Sequence, residues 1–153
     1  MAFYQLKRQQ LIYATIDEVW DFISSPGNLK DITPEHMGFD IISENLPEKM
    51  YPGMIIAYRV KPLAGIPVTW VTEITHIVDG RFFIDEQRIG PYSFWHHQHF
   101  IEPVTKGVLM TDIVTYKPPF AFLGSIANSL FIHRQLESIF TYREKALNKI
   151  FPI

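Results

Sequence analysis

The sequence predicts an α+β fold: a seven-stranded curved antiparallel sheet, two short helices and a long C-terminal helix that together enclose a cavity. Three observations carry that expectation. From His36 to Tyr116, turn signals recur at short intervals between β-branched and aromatic runs, the pattern of an antiparallel meander. Only Phe122 to Phe151 spaces its apolar residues helically over several turns. That segment holds two stripes, Leu123, Ile126, Ala127 and Leu130 on one side and Leu136, Ile139, Phe140, Arg143, Leu147 and Ile150 roughly half a turn away. A straight helix cannot bury both against one surface. Either it breaks near Phe131 to Arg134, or a curved sheet and its loops clasp it from opposite sides, which leaves internal space.

Each element follows from local chemistry. Phe3 to Tyr13 alternate loosely and are rich in strand formers, a first strand. Thr15 or Asp17 caps a short helix whose apolar side is Val19, Trp20, Phe22 and Ile23, and Ser24-Ser25-Pro26-Gly27 ends it. Asn28 caps a one-turn helix, Leu29 to Ile32, stopped by Thr33-Pro34 because the residue before proline is pushed out of the helical region. Six strands are expected near Gly38–Glu44, Met54–Lys61, Val68–Val78, Phe82–Arg88, Ser93–Glu102 and Val108–Lys117. Their connections carry Pro47 to Gly53, Pro62 to Pro67, Asp79-Gly80, Gly90-Pro91 and Pro103 to Gly107. In the terminal helix, Leu136, Ile139, Phe140 and Leu147 are expected inside, with Glu137, Ser138, Glu144 and Lys145 toward solvent.

Composition narrows the function classes. A chain of 153 residues fits one domain, 1–153, able to bury about 68–70% of its unfolded surface and so to tolerate a cavity. The net charge of −2, with both signs mixed throughout, gives no field to attract nucleic acid or an anionic membrane. The absence of cysteine excludes disulfides, thiolate catalysis and Cys-ligated zinc, and suits a reducing cytosol. No continuous apolar core follows the early charges Lys7 and Arg8, so no signal peptide is expected. No apolar run approaches the roughly 20 residues that cross a bilayer. A cytoplasmic protein without stable membrane insertion is the expectation.

Several motifs run in order along nearly the whole chain: Trp20-Asp21-Phe22, Ser25-Pro26-Gly27-Asn28-Leu29 through Ile32-Thr33-Pro34, and Gly90-Pro91-Tyr92 with Trp95, His97 and His99. They continue in Met110-Thr111-Asp112, Tyr116 and Pro119-Phe120. With them the chain resembles the helix-grip superfamily, which includes START lipid-transfer domains, birch-pollen-allergen-like proteins and the polyketide cyclase/dehydrase-like (SRPBCC) group. More narrowly it is similar to bacterial members described as ligand-binding or cell-division-inhibitor-like. The resemblance implies a helix-grip fold. It does not imply one chemistry, because that scaffold hosts carriers, sensors and enzymes.

The densest polar cluster is Trp95-His96-His97-Gln98-His99. On a strand His97 and His99 share a face and His96 takes the other, so only two of the three could share a site. Zinc would need a further ligand; neither a metal nor a cofactor is expected. If one hairpin pairs His97 with Asp112 and the other pairs it with Asp85, the three form a cross-strand row. In that register Phe83, Asp85, Gln87, Trp95, His97, His99, Met110, Asp112, Val114 and Tyr116 share the cavity face, sending Glu86 and Arg88 to the other. Carboxylates beside an imidazole can orient it for acid–base work or simply satisfy a buried polar network. Trp20, Phe22, Trp70 and Phe131 complete the expected walls, since ligand pockets are mostly apolar. Arg134 and Arg143 on the terminal helix are expected at the surface, the alternative being that they reach a cavity polar group or a ligand carboxylate.

No nucleophile elbow, phosphate loop or dinucleotide fingerprint is present. The leading functional expectation is binding of a small hydrophobic or amphipathic ligand between sheet and helix. The alternatives are a cyclase- or dehydratase-type enzyme using His97 or His99 with Asp85 or Asp112, and a regulatory protein-interaction module.

Overall fold

The computed structural model describes residues 3–63, 65–118 and 125–153. Strand β1 (Tyr4–Ile12) is followed by helix α1 (Ile16–Ile23) and two 3-10 segments, Pro26–Ile32 and Glu35–Met37. Strands β2 (Asp40–Ile41), β3 (Met54–Leu63), β4 (Ile66–Val78), β5 (Phe82–Ile89), β6 (Phe94–Val104) and β7 (Gly107–Lys117) precede helix α2 (Ser125–Ile150). The seven strands form one antiparallel sheet in the order β1-β7-β6-β5-β4-β3-β2, the curved α+β architecture of the helix-grip fold. Register shifts at Val60/Leu63, Val71/Thr72 and Ile74/His76 lie in its β3–β4–β5 half. An extra residue on one strand of a pair bends that strand and increases its twist, which curls the sheet around α2.

Because β1 pairs with β7 at one edge while β2 lies at the other, the segment between them must cross the whole sheet. Helix α1 opens that crossing. Thr15 Oγ1 accepts from the Glu18 amide and the Glu18 carboxylate accepts from the Thr15 amide, a capping box that satisfies two orphan donors. Its buried Val19 and Ile23 join Ile12, Phe83, Ile101, Met110 and Leu147 in one apolar cluster. A second cluster, with Leu6, Val60, Trp70, Trp95, Val114, Tyr116, Ile132, Leu136 and Phe140, fills the other end of the concave face.

Several boundaries differ from expectation, each for a local reason. The expected Gly38–Glu44 strand pairs only through Asp40–Ile41, because the Ile42 and Ser43 amides both turn onto the Ala57 carbonyl and the Ser43 hydroxyl takes the Ala57 amide. The expected turn Leu29–Ile32 is a longer 3-10 segment that begins at Pro26, and a further one over Glu35–Met37 closes on Gly38 with φ of 56°. The β6–β7 register is two residues from the expected one: His97 faces Val114, and His99 faces Asp112. The expected strand ends at Glu102, with Pro103 in the connection. Pro103 instead lies in β6 opposite Val108, beyond the last β5 partner Phe82, where its missing amide leaves no ladder bond unmade.

Helix α2 is continuous. Among its described side chains, the buried face runs from Ile132 through Leu136, Phe140 and Leu147, with Ile139 half-buried. Leu130 is 49% exposed, so that member of the first stripe covers nothing. Phe122 and Leu123, and the side chains of Ile126 and Ala127, lie outside the described residues. Strand β1 ties the helix down: Arg8 pairs with Glu137 and Glu144 and bonds Thr141, and Gln10 donates to the Glu144 carbonyl at 2.9 Å. Among the described residues no helix is long and apolar enough to cross a membrane.

Candidate functional site

Between the two apolar clusters the concave face carries a buried polar square on three adjacent strands. β5 contributes Asp85, β6 contributes His97 and His99, and β7 contributes Asp112. His97 Nε2 lies 2.8 Å from Asp112 Oδ1, and His99 Nε2 lies 2.5 Å from Asp85 Oδ2. The other ring nitrogens complete the figure: His99 Nδ1 is 3.2 Å from Asp112 Oδ1, and His97 Nδ1 is 3.7 Å from Asp85 Oδ2. Two residues apart on one strand, the imidazoles stack with centroids 3.6 Å apart. Phe83 stacks on the far face of His99 at 3.9 Å, while Trp95 and Phe140 present edges to His97. The rings are therefore clamped by aromatic walls as well as by hydrogen bonds.

Burial acts on every member, and the pairing decides the outcome. For His97, desolvation and the neighbouring His99 outweigh its carboxylate partners and pull the pKa down to about 4, so it is neutral at pH 7. His99 feels the same desolvation, but hydrogen bonds to Asp112 and Asp85 outweigh it and hold its pKa above the ordinary value. Burial pushes both carboxyls up, yet bonds to the imidazoles hold Asp112 and Asp85 below the usual carboxylate range. Of the two imidazoles, His99 is the one that holds a proton more readily. Neutral His97 can direct an Nε2 hydrogen at Asp112, which leaves Nδ1 unprotonated 3.7 Å from Asp85 Oδ2.

A cavity of about 150 Å³ opens beside the square, walled by the sheet, α2 and the first 3-10 segment. Phe22, Trp70, Phe83, Asp85, Trp95, His97, His99 and Met110 line it, together with residues the sequence did not single out as walls. Those include Met37, Phe39, Tyr58, Tyr92, Leu136, Phe140 and Arg143. Tyr58 shares a hydrogen bond with Thr72 at 3.1 Å and stacks on Trp70; Trp70 in turn meets Tyr92 and Trp95. Burial raises the Tyr58 phenol pKa, with the Asp85 charge adding to it. Among the described residues, two buried donors of cavity-lining side chains, Trp70 Nε1 and Arg143 Nε, have no hydrogen-bond partner, nor has the acceptor Gln135 Oε1.

Six expected wall residues sit elsewhere. Trp20 is half-buried and packs edge-to-face on Phe83 behind the cavity. Gln87 turns into the β5–β6 hairpin, donating to the Tyr92 carbonyl at 2.8 Å and accepting from its amide at 3.1 Å. That close approach needs a glycine, since a Cβ on Gly90 would lie 2.4 Å from Gln87 Oε1. Val114 and Tyr116 are sealed in the apolar cluster beneath Ile132 and Leu136. Asp112 is screened from the cavity by the imidazoles and borders a separate small cleft with Arg8 and Arg143. Phe131 is 57% exposed because it stands one residue off the buried face of α2. Arg143 departs from its expected surface position. It lies on that buried face three residues past Phe140, with Nη1 3.9 Å from Asp112 and its guanidinium over the Phe140 ring.

Fold and cavity define a class: a curved sheet gripping a C-terminal helix around an internal pocket, the helix-grip architecture. Solved structures agree on that fold across nearly the whole chain. The di-domain ARO/CYC StfQ from the steffimycin biosynthetic pathway aligns with TM-score 0.71 and 11% identity, over 97% of this chain and 50% of that one. A protein from Arthrobacter aurescens gives 0.70 and 14%, over 95% of this chain and 86% of its own. Ara h 8.0201 gives 0.62 and 10%, over 97% and 99%. At these identities the likeness is one of fold. No family model matches the chain, and no curated protein matches it in sequence.

Proposed function

We propose that this protein binds a small, largely apolar molecule bearing polar acceptor atoms. The observation that carries the reading is the cavity itself, apolar and aromatic around most of its wall, with two buried donors on its lining side chains left without acceptors among the described residues. Buried polar groups are nearly always paired, so a ligand oxygen near Trp70 Nε1 or Arg143 Nε would complete what the protein leaves open. Size limits the ligand. A space of about 150 Å³ suits one ring or a short branched chain and falls below the roughly 300–1,000 Å³ that hold drug-sized molecules. Native mass spectrometry of the protein purified without detergent should find a copurified ligand of that size. A panel of monocyclic phenols, aryl ketones and short acyl compounds should raise the Tm and quench Trp70 and Trp95 fluorescence. A chain that carries nothing and shifts with no member of the panel would defeat the reading.

A catalytic variant of this reading is favoured by neutral His97, oriented by Asp112 and lining the cavity with an unprotonated Nδ1. Such a nitrogen can take a proton from a bound carbon or oxygen acid. Turnover lost in His97→Ala while ligand binding persists would support catalysis; binding without turnover in the wild type supports a carrier or sensor.

A further inference from the structure

We propose that Asp85, His97 and His99 form a binding site for one divalent first-row transition-metal ion, with Asp112 as the group that orients both imidazoles. The proposal goes beyond organic-ligand binding and does not depend on it.

The geometry separates the four residues into two roles. Asp112 Oδ1 is shared by one nitrogen of each ring, 2.8 Å from His97 Nε2 and 3.2 Å from His99 Nδ1. A carboxylate holding the far nitrogen of a metal-bound histidine is the usual outer partner of such a ligand, fixing its tautomer and raising its basicity. The nitrogens left over, His97 Nδ1 and His99 Nε2, converge on Asp85 Oδ2 at 3.7 and 2.5 Å. One ligand atom from each of the three residues lies within 4.8 Å of the other two. An ion about 2.0–2.2 Å from each donor needs them roughly 3.0–3.5 Å apart. One separation is a little short and the other a little long, so a small rotation of the Asp85 carboxylate moves both toward that range.

Charge points the same way. Two buried carboxylates face one guanidinium, Arg143; Arg8, opposite Asp112 in β1, is engaged by Glu137 and Glu144. One negative charge remains in a site where Asp112 is 6% exposed, and a metal ion would balance it in place of the proton that His99 otherwise takes up. Two nitrogens and one carboxylate oxygen suit Zn²⁺, Fe²⁺ or Co²⁺ and not the all-oxygen ions Mg²⁺ and Ca²⁺. All three ligand residues line the cavity, whereas Asp112 does not. The remaining coordination positions therefore open toward the bound molecule, the arrangement of reactive metal sites and not of closed structural ones.

The test is a titration of the chelator-stripped full chain with Co²⁺, followed by displacement with Zn²⁺. One equivalent of Co²⁺ should give visible d–d bands that Zn²⁺ abolishes. His97→Ala, His99→Ala and Asp85→Asn, shown folded by circular dichroism, should each weaken Co²⁺ binding by more than tenfold. Asp112→Asn should weaken it about 10–100-fold, and His96→Ala, on the outer face, should leave it unchanged. Should the ligand variants not fold, the wild type still decides the matter. On Zn²⁺ addition, the ring nitrogen resonances of His97 and His99 should shift while those of His36, His76, His96 and His133 stay in place. No d–d bands with a Kd tighter than about 1 mM, or Co²⁺ binding of equal strength in the folded variants, would overturn the proposal. So would Zn²⁺ shifts confined to other histidines.

Discussion

Phe140→Ala tests whether α2 both closes the cavity and anchors the sheet. The ring is 5% exposed, lies with centroid 5.7 Å from His97, and carries the Arg143 guanidinium 4.9 Å from its centre. A fully enclosed Phe→Ala change costs about 3–5 kcal/mol. Here one side of the ring borders a cavity of about 150 Å³, so fewer wall atoms lose a packing partner and the penalty falls toward the lower end. Loss of the edge contact to His97 adds about 0.5–1.5 kcal/mol back. We expect about 4 kcal/mol, which for a chain of this length lowers Tm by about 8–16 °C. Urea denaturation should show a lower midpoint with an unchanged slope, because the surface exposed on unfolding is the same. The enlarged cavity should also accept benzene or indole and regain part of the loss. A destabilisation below about 1 kcal/mol, with no response to either compound, would refute the placement of the ring at this wall.

Gly107→Ala should destabilise by more than about 2 kcal/mol, since its Cβ would lie 2.2 Å from the Ile12 carbonyl oxygen and that backbone is held by β1–β7 pairing; thermal denaturation reads it. Thr15→Ala removes one half of the α1 capping box and should cost about 1 kcal/mol, with faster amide exchange confined to the first turn. Alkaline titration of tyrosine absorbance should leave Tyr58 and Tyr92 un-ionised above the usual phenol range, because burial raises both phenol pKa values. The sign follows from linkage: stability from these groups is full below the unfolded pKa of about 10 and is lost as pH rises above it. Their ionisation should therefore coincide with unfolding, and early titration of Tyr58 would place it outside the cavity wall.

Strand number, the antiparallel meander and the face that most residues of β5, β6 and β7 take were legible in the chain, because period-two alternation and turn chemistry are local signals; the pairing of β1 with β7 was not. The face assignment survived the β6–β7 register error, since a two-residue slip returns every side chain to the same side of the sheet and only an odd slip reverses it. That is why Asp85, His97, His99 and Asp112 meet although His97 faces Val114. The pairing within the square was decided by Pro103 staying in β6, a matter of where β5 ends. Tertiary structure alone separated cavity from core. Val114 and Tyr116 share parity with His97, but α2 packs Ile132 and Leu136 onto them and leaves the wall beside Trp70 and Tyr58 uncovered. The burial of Arg143 has the same origin: helical spacing puts it on the inner face, but only the carboxylate of Asp112, arriving from a distant strand, makes that position tolerable for a charge. Periodicity reports which side of an element turns inward, and what stands opposite is fixed only when the chain closes.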